Sequence, residues 1–233
     1  MCGRYGRFSR KERIEGVLGR SIVGGDELAE RYNICPGLPD WVLRQSYRTR
    51  ELRLEQFQWG LLPSWTKNPK SARRPINARA ETVTEKPFFR EAFKHRRCLI
   101  PASGYYEWHD TGGGKQPYYF TRADGDPVTI AGLWDQWRDK ASGETIRSCT
   151  MIITEPNALA AKVHDRMPVL LHARDVPRWL DPTTTEVDKV TDLLGPYPTA
   201  EMQSRPVSRR VSNPDNEGPE LIQPDNSTPE LWT

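Results

Sequence analysis

The sequence predicts an α+β fold built on a strongly curved, barrel-like antiparallel sheet with helices at its periphery. The chain has 233 residues, which fits one large domain or two small ones and is enough to bury a core. Short apolar and aromatic runs recur along it, separated by Gly, Pro and Asp clusters. Helical patterns are short and interspersed among these runs. Many short strands with scattered helices are typical of α+β proteins.

Five segments have the pattern of short helices. Ser9 and Glu12 have the spacing of a capping box, so the first helix is expected to start near Arg10. Asp26 is expected to cap a second helix that runs through Tyr32. Thr84 together with Pro87 is expected to start a third helix, which carries Phe88, Phe89, Ala92 and Phe93. The last two helices are expected to cover 157–163 and 187–194.

Six runs are predicted to be strands. Leu52, Leu54 and Phe57 indicate a strand that runs toward Trp59. The other runs cover 98–100, 105–108, 118–120, 128–134 and 149–153. The triple glycine before Lys115 lacks the pattern of a phosphate-binding loop and is predicted to be a hairpin turn. Residues 224–233 are polar and contain proline, and are predicted to be a loose tail.

The cysteines and the absence of long apolar runs restrict the class of protein. The four cysteines stand at positions 2, 35, 98 and 149, and none are spaced as CxxC, so we expect no metal and no redox pair. The first residues have no apolar signal region, and no run approaches the roughly 20 residues of a membrane helix. We therefore expect a cytoplasmic protein with reduced thiols, no cofactor and no membrane partner.

Charge is distributed unevenly although the net charge is only +3. Residues 1–100 carry 21 Lys and Arg against 11 Asp and Glu, whereas residues 101–233 carry 13 against 20. Arginine supplies 25 of the 34 basic residues, and its planar guanidinium binds phosphate in a bidentate manner. This pattern fits a polyanion partner, or else a solvated surface with a bias toward arginine.

Cys2 is the first candidate for chemistry. If Met1 is removed, residue 2 carries an α-amine and a thiol, and this 1,2-aminothiol can condense with an aldehyde and close to a thiazolidine. An α-amine has a pKa of about 7.7–8.0 against about 10.4 for lysine, so roughly a quarter of such amines are neutral near pH 7.4. The alternative is a chance cysteine on a frayed end.

Two segments in the basic half could contact a ligand. Trp65, in a proline-bounded turn, could stack on an unpaired base, or it could be a buried core residue. Asn77, Arg79 and Glu81 would share one face of an extended segment. An amide, a guanidinium and a carboxylate on one face suit an anionic or carbonyl ligand, although a surface strand with an ion pair is an equal alternative.

Two further residues could transfer protons. Glu107 follows two tyrosines and precedes Trp108, so its carboxylate should be partly desolvated and suited to a general acid, unless it lies at the rim. His164 is followed by Asp165 and Arg166 and lies just after a predicted helix, where it could shuttle protons or simply cap the helix. His95, His109 and His172 are expected to be structural or surface residues.

Seven collinear motifs together resemble one family. They are MCGR at the start, YNICP (32–36), WGLLPSW (59–65), NARAET (77–82), RRCLIPASGYYEW (96–108), AGLWD (131–135) and HDRMP (164–168). This series resembles the SRAP family, which was first labelled SOS-response-associated peptidase and is now understood as abasic-site processing protein. The resemblance runs from Cys2 to about Ile222. It implies a single SRAP-type domain over residues 1–223.

The resemblance also implies roles for individual residues. Cys2 would be the crosslinking nucleophile, Asn77 the amide that positions the adduct, Glu107 the acid–base and His164 a proton-transfer residue. Trp65 would be an aromatic wedge where single strand meets duplex. The residues expected to hold DNA phosphates are Arg4 and Arg79, with Arg73 and Arg74 as further candidates.

The function implied is a sensor and shield for abasic sites in single-stranded DNA and at junctions with duplex. Cys2 would form a thiazolidine crosslink with the sugar, with minor lyase and self-processing activity. The protein would act as a monomer, associated with damaged DNA in the nucleoid. Two alternatives remain: a cysteine peptidase that acts on its own N-terminus or on other proteins, and a non-catalytic single-strand binder.

Overall fold

The computed structural model describes residues 2–225. Its first sheet contains a closed barrel of five strands, and a second sheet of five strands packs beside it. The barrel strands are β4 (Pro39–Gln45), β5 (Leu52–Trp59), β7 (Arg97–Ala102), β10 (Val128–Arg138) and β11 (Thr145–Thr154). Their order is β11, β10, β7, β4, β5, and a parallel pairing of β11 with β5 closes the barrel. The prediction of a barrel-like, mainly antiparallel core is confirmed.

The second sheet is antiparallel and has the order β13, β9, β8, β1, β3. Its strands are β1 (Tyr5–Arg7), β3 (Arg31–Ile34), β8 (Gly104–Asp110), β9 (Lys115–Arg122) and β13 (Met202–Pro206). The triple glycine lies in the hairpin between β8 and β9, where Asp110 pairs with Lys115, as predicted. Three short strands extend the barrel sheet: β2 (Ile22–Val23), β6 (Asn77–Arg79) and β12 (Met167–Pro168).

Three α-helices lie on the barrel, namely α1 (Lys11–Leu18), α2 (Arg90–His95) and α3 (Val176–Leu180). One core cluster packs Ile14, Phe93 and Trp179 of these helices against barrel residues such as Leu43 and Leu99. Another cluster joins residues of the second sheet to the barrel. In the described part of the chain, no helix is both long and apolar enough to cross a membrane.

The strands follow the sequence pattern closely. Along β5, buried Leu52 and Leu54 lie on one face and buried Phe57 and Trp59 on the other, because successive side chains of a strand point to opposite faces. All six predicted runs lie in strands of the structure.

The helix predictions are less accurate. The first helix begins where expected, but Ser9 does not cap it, because the Ser9 hydroxyl lies 2.9 Å from the Ser103 hydroxyl. The helix predicted from Asp26 to Tyr32 is wrong: Gly24 and Gly25 turn the chain with positive φ, and the segment leads into β3. Phe88 and Phe89 precede α2 rather than lying in it.

The last two predicted helices are only short 3₁₀ turns. Within 157–163 the turn is Ala160–Lys162, and the Asn157 side chain accepts a hydrogen bond from the Ala160 amide. Within 187–194 a break at Val190, with φ −137°, separates two turns. The predicted tail begins at Pro224, which instead bridges to Val207, while residues 226–233 of that prediction lie outside the described residues.

A buried network joins the N-terminal strand to the barrel. The Tyr5 hydroxyl donates to Asp40 at 2.5 Å, and Arg7 pairs with the same carboxylate at 2.6 Å. The Tyr5 ring packs edge-on against Trp59, with ring centroids 5.3 Å apart. The indole nitrogen of Trp59 donates to the carbonyl of Ile76 at 2.9 Å. This network therefore links β1, which follows Cys2, to the residue that precedes β6.

Candidate functional site

A cleft of about 880 Å³ opens where β6 lies beside β11. The two strands pair in parallel, with Asn77 opposite Met151 and Arg79 opposite Ile153. Because side chains alternate along β6, Ala78 is buried while Asn77 and Arg79 line the cleft. Glu81 lies beyond the strand in a 3₁₀ turn, so the predicted shared face holds for Asn77 and Arg79 only.

Cys2 is buried beside this cleft, with 2% of its surface exposed. The Asn77 amide nitrogen donates to the Cys2 carbonyl at 2.9 Å and to the Ile76 carbonyl at 3.0 Å. The thiol donates a hydrogen bond to the Glu107 carboxylate. Burial and the neighbouring Glu107 raise the pKa of this thiol well above its usual value. Cys2 is thus an ordered residue held by both Asn77 and Glu107, and not a frayed end.

Glu107 lies on β8 and is 3% exposed. Antiparallel pairing of β1 with β8 brings it to Cys2, because Tyr5 faces Tyr105 and the Tyr106 amide donates to the Arg4 carbonyl. Burial raises the pKa of Glu107, and the hydrogen bond from Cys2 and the proximity of His164 offset only part of this effect. The raised pKa makes Glu107 better suited to act as a general acid than an exposed glutamate.

His164 follows the 3₁₀ turn Ala160–Lys162 and completes the cluster. Its Nε2 atom lies 3.9 Å from the Glu107 carboxylate. The Arg166 amide and the Asp165 carboxylate each lie 3.0 Å from its Nδ1 atom. The amide can donate to Nδ1 when the ring is neutral, and the carboxylate can pair with it when the ring is protonated. In both protonation states the ring carries a proton on Nε2, the nitrogen that faces the Glu107 carboxylate.

Three buried polar atoms in this region have no hydrogen-bond partner among the described residues. They are Oδ1 of Asn77, Oε1 of Glu107 and the hydroxyl oxygen of Tyr105. Buried polar atoms are rarely left unpaired, since each costs about 1–3 kcal/mol. Two of the three belong to residues in contact with Cys2. Such unpaired atoms around Cys2 indicate a site arranged for a ligand or for ordered water.

The walls of the cleft combine cations with aromatic rings. The cations that line it are Arg73, Arg79, Lys86 and Arg166. Its apolar wall consists of Pro87, Phe88 and Phe89. Trp65 is 59% exposed, which excludes the buried-core alternative, and its ring packs edge-on against Phe88 at 5.5 Å between centroids. Arg166 forms an ion pair with Glu81.

Sequence reasoning missed Lys86, Arg166 and the Phe88–Phe89 wall. Arg166 belongs to the HDRMP motif and lies two residues after His164, and this proximity is the feature of the sequence that could have indicated it. The sequence predicts Phe88 and Phe89 to lie in a helix and so does not indicate that they line a cleft. No feature of the sequence distinguishes Lys86 from other surface lysines.

Two arginines expected to hold phosphates lie elsewhere. Neither Arg4 nor Arg74 is among the described residues that line the cleft. Arg4 donates to Asn33 and to the Val211 carbonyl, both at 2.6 Å, and lies over the Trp108 ring. Arg74 donates to Gln58. Both guanidinium groups connect segments of the fold, and their contacts with DNA remain predictions.

The fold and this site together define a class of protein: a closed β-barrel with a flanking sheet, in which residue 2 is held by an amide and an acid beside a cationic, aromatic cleft. The family described as SOS response associated peptidase (SRAP) matches residues 1–214. The chain belongs to this family, and the resemblance drawn from the seven motifs is confirmed.

Curated relatives extend over nearly the whole chain. Abasic site processing protein YoqW of Bacillus subtilis is 35% identical over 96% of this chain and 99% of its own length. Abasic site processing protein YedK of Escherichia coli is 31% identical, over 96% of this chain and all of its own. Abasic site processing protein HMCES of Xenopus tropicalis is 33% identical over 72% of this chain and 56% of its own length.

Solved structures show the same architecture. A protein from Bacteroides thetaiotaomicron superposes with a TM-score of 0.84 at 27% identity, covering 96% of this chain and 99% of its own. A protein from Bordetella bronchiseptica has a TM-score of 0.75 at 30% identity, covering 89% of this chain and all of its own. The single SRAP-type architecture of the chain is therefore shared with these proteins.

Proposed function

We propose that this protein processes abasic sites in DNA by capturing the open sugar covalently through Cys2. The observation that carries the proposal is the contact of Asn77 and Glu107 with residue 2, with His164 beside Glu107, at the side of a cationic cleft. The relatives named abasic site processing proteins support the same activity. In the proposed reaction the partner is single-stranded DNA, including its junctions with duplex, and the protein acts as a monomer in the cytoplasm.

The reaction requires a free amine on Cys2, so Met1 must first be removed. Glu107 then gives its proton to the ring oxygen of the abasic sugar, the bond between that oxygen and C1′ breaks, and the ring opens to an aldehyde that still carries the proton of the C1′ hydroxyl. The amine of Cys2 attacks the aldehyde carbon, water leaves, and a protonated imine forms. The thiol passes its proton to the Glu107 carboxylate, the sulfur bonds to the imine carbon, and the imine electron pair moves to nitrogen. The product is a neutral thiazolidine.

The other residues support this sequence. Asn77 holds the carbonyl of Cys2, and its unpaired Oδ1 is available to accept a hydrogen bond from the adduct. His164 exchanges protons with Glu107 and with the phosphate that leaves if the imine eliminates. Thiazolidine closure removes the imine and so suppresses strand cleavage. A weak lyase activity is expected whenever closure is slow.

Binding in the cleft precedes this chemistry. Arg73 and Arg79 line the cleft and would bind the phosphates that flank the lesion, with Lys86 and Arg166 as additional cations. The aromatic side of the cleft, formed by Trp65 and Phe88, can accept a stacked base. A sugar that lacks its base fits where a complete nucleotide would collide with the walls.

The two alternatives are less well supported by the geometry. A thiol peptidase needs a thiolate, usually paired with histidine, whereas the Cys2 thiol donates to a carboxylate and its pKa is raised by burial. A plain single-strand binder needs the cations and Trp65 but no buried acid beside residue 2. It predicts salt-sensitive binding with no covalent product.

Mass spectrometry of the intact protein tests the proposal. The purified protein is expected to lack Met1. After incubation with a single-stranded oligonucleotide that carries one abasic site, its mass should increase by that of the oligonucleotide less one water. An oligonucleotide without the lesion is the control and should add no mass. Absence of a heat-stable product from protein confirmed to lack Met1 contradicts the proposal.

Trp65→Ala is expected to weaken binding to a single-strand–duplex junction by about 1–3 kcal/mol, because it removes a stacking surface for one base. The ring is exposed, so stability should change little. Fluorescence anisotropy with undamaged DNA measures the effect. Tyr47→Ala is the matched control, since Tyr47 is 70% exposed and lies outside the cleft. If both variants lose the same amount of affinity for DNA, Trp65 is not part of the binding surface.

A further inference from the structure

Tyr105 carries a buried hydroxyl that the mechanism above does not use. The residue is 1% exposed, and its hydroxyl has no hydrogen-bond partner among the described residues. Its ring stacks on Phe120, with centroids 5.0 Å apart and planes 8° from parallel. This stacking restricts where the hydroxyl can point. A tyrosine kept in a core without a partner for its hydroxyl is unusual, because phenylalanine would avoid the desolvation cost.

The register of the sheet places Tyr105 on the same face as Glu107, near Cys2. Tyr105 and Glu107 are two positions apart on β8 and therefore share a face. Tyr105 lies directly opposite Tyr5, on the strand that follows Cys2. Cys2 and Glu107 are the charged or titratable neighbours that act on its hydroxyl. The hydroxyl thus belongs to the same cluster as the unpaired oxygens of Asn77 and Glu107.

We propose that Tyr105 is a further catalytic residue, whose hydroxyl donates a hydrogen bond to the Cys2 sulfur as the thiol closes on the imine. The inference rests on the proposed crosslinking function. During closure the sulfur loses its proton to Glu107 and carries negative charge until its bond to the imine carbon is complete. A fixed neutral donor stabilises such charge in a site that excludes water.

The protonation state of the phenol is consistent with this role. Burial raises the pKa of Tyr105 well above its usual value, and the neighbouring Cys2 and Glu107 raise it further. The hydroxyl therefore keeps its proton throughout the reaction. It supplies no proton to the product and only lowers the barrier to closure.

The test is Tyr105→Phe, which removes the hydroxyl and keeps the ring on Phe120. The full chain, confirmed to lack Met1, is mixed in excess with an abasic single strand. Borohydride trapping measures imine formation, and survival after heating without reductant measures closure. Imine formation should proceed at the wild-type rate, whereas closure should slow by about 10- to 100-fold, as expected for one lost hydrogen bond to a charged atom.

Tyr119→Phe is the matched control. Tyr119 is also buried with an unpaired hydroxyl, but it packs on Tyr106 and under Arg205, away from Cys2. It should leave both steps unchanged, and neither variant should lower the melting temperature. Single-turnover rate constants do not depend on the folded fraction, so partial unfolding of a variant would not obscure the result.

The possible outcomes separate this inference from the proposed function. Closure at the wild-type rate in Tyr105→Phe overturns the role of Tyr105, and so does an equal slowing of imine formation and closure. In both cases wild-type crosslinking would still support the proposed function. If the wild type forms no heat-stable adduct, the proposed function itself fails.

Discussion

Cys2→Ala is expected to abolish the heat-stable DNA adduct while leaving an imine that borohydride can trap. Alanine at residue 2 still permits removal of Met1 and keeps the α-amine, but it has no thiol to close the ring. An unclosed imine can proceed to β-elimination, so this variant should also nick abasic DNA more than the wild type does. Denaturing electrophoresis with and without borohydride measures both products.

Two controls isolate the contribution of each group on Cys2. A protein with a blocked N-terminus ahead of Cys2 has the thiol without the amine and should give neither imine nor stable adduct. Cys35→Ala removes a different thiol, one that contacts the Asn33 carbonyl, and should crosslink like the wild type. If the blocked protein crosslinks as well as the free one, the aminothiol mechanism is wrong.

Glu107→Gln is expected to slow crosslinking by about 10²–10⁴-fold, the usual range for a lost general acid. Glutamine keeps the shape of the side chain and can still form hydrogen bonds, but it cannot give or take a proton. The final yield of crosslinked protein should decrease less than the rate of crosslinking, because the thiazolidine remains the stable product. A time course of adduct formation under single-turnover conditions separates rate from yield.

The pH dependence provides an independent check on Glu107. A general acid acts in its protonated form, and burial raises the pKa of Glu107. The ring-opening step should therefore stay fast up to this raised pKa and fall as the pH increases through it. The glutamine variant should lose this dependence. Glu55→Gln is a matched control, since Glu55 pairs with Arg44 on the barrel outside the cleft. An unchanged rate in Glu107→Gln would make Glu107 a structural residue.

The strands were predictable from sequence because their signal is local. Short runs rich in apolar residues, such as the one with Leu52, Leu54 and Phe57, indicate a strand from neighbouring positions alone. Helix patterns were less informative. Ser9 had an ideal capping spacing, yet its hydroxyl lies against Ser103, which is distant in sequence. The segment after Asp26 was predicted to be a helix, but its end forms β3 because it pairs with β1.

The sequence was sufficient to predict the strand-rich α+β class and the family, and it indicated Cys2, Asn77, Glu107 and His164 as candidates for the chemistry. It could do so because periodicity and motif order are properties of the chain. Which of these groups meet depends on the folded structure. The parallel pairing of β6 with β11 places Asn77 on the cleft, and the pairing of β1 with β8 brings Glu107 to Cys2. These contacts join residues about 75 to 105 positions apart, and no local pattern encodes such distances. Burial raises the pKa of Glu107 for the same reason, because desolvation depends on the whole set of neighbours that folding assembles.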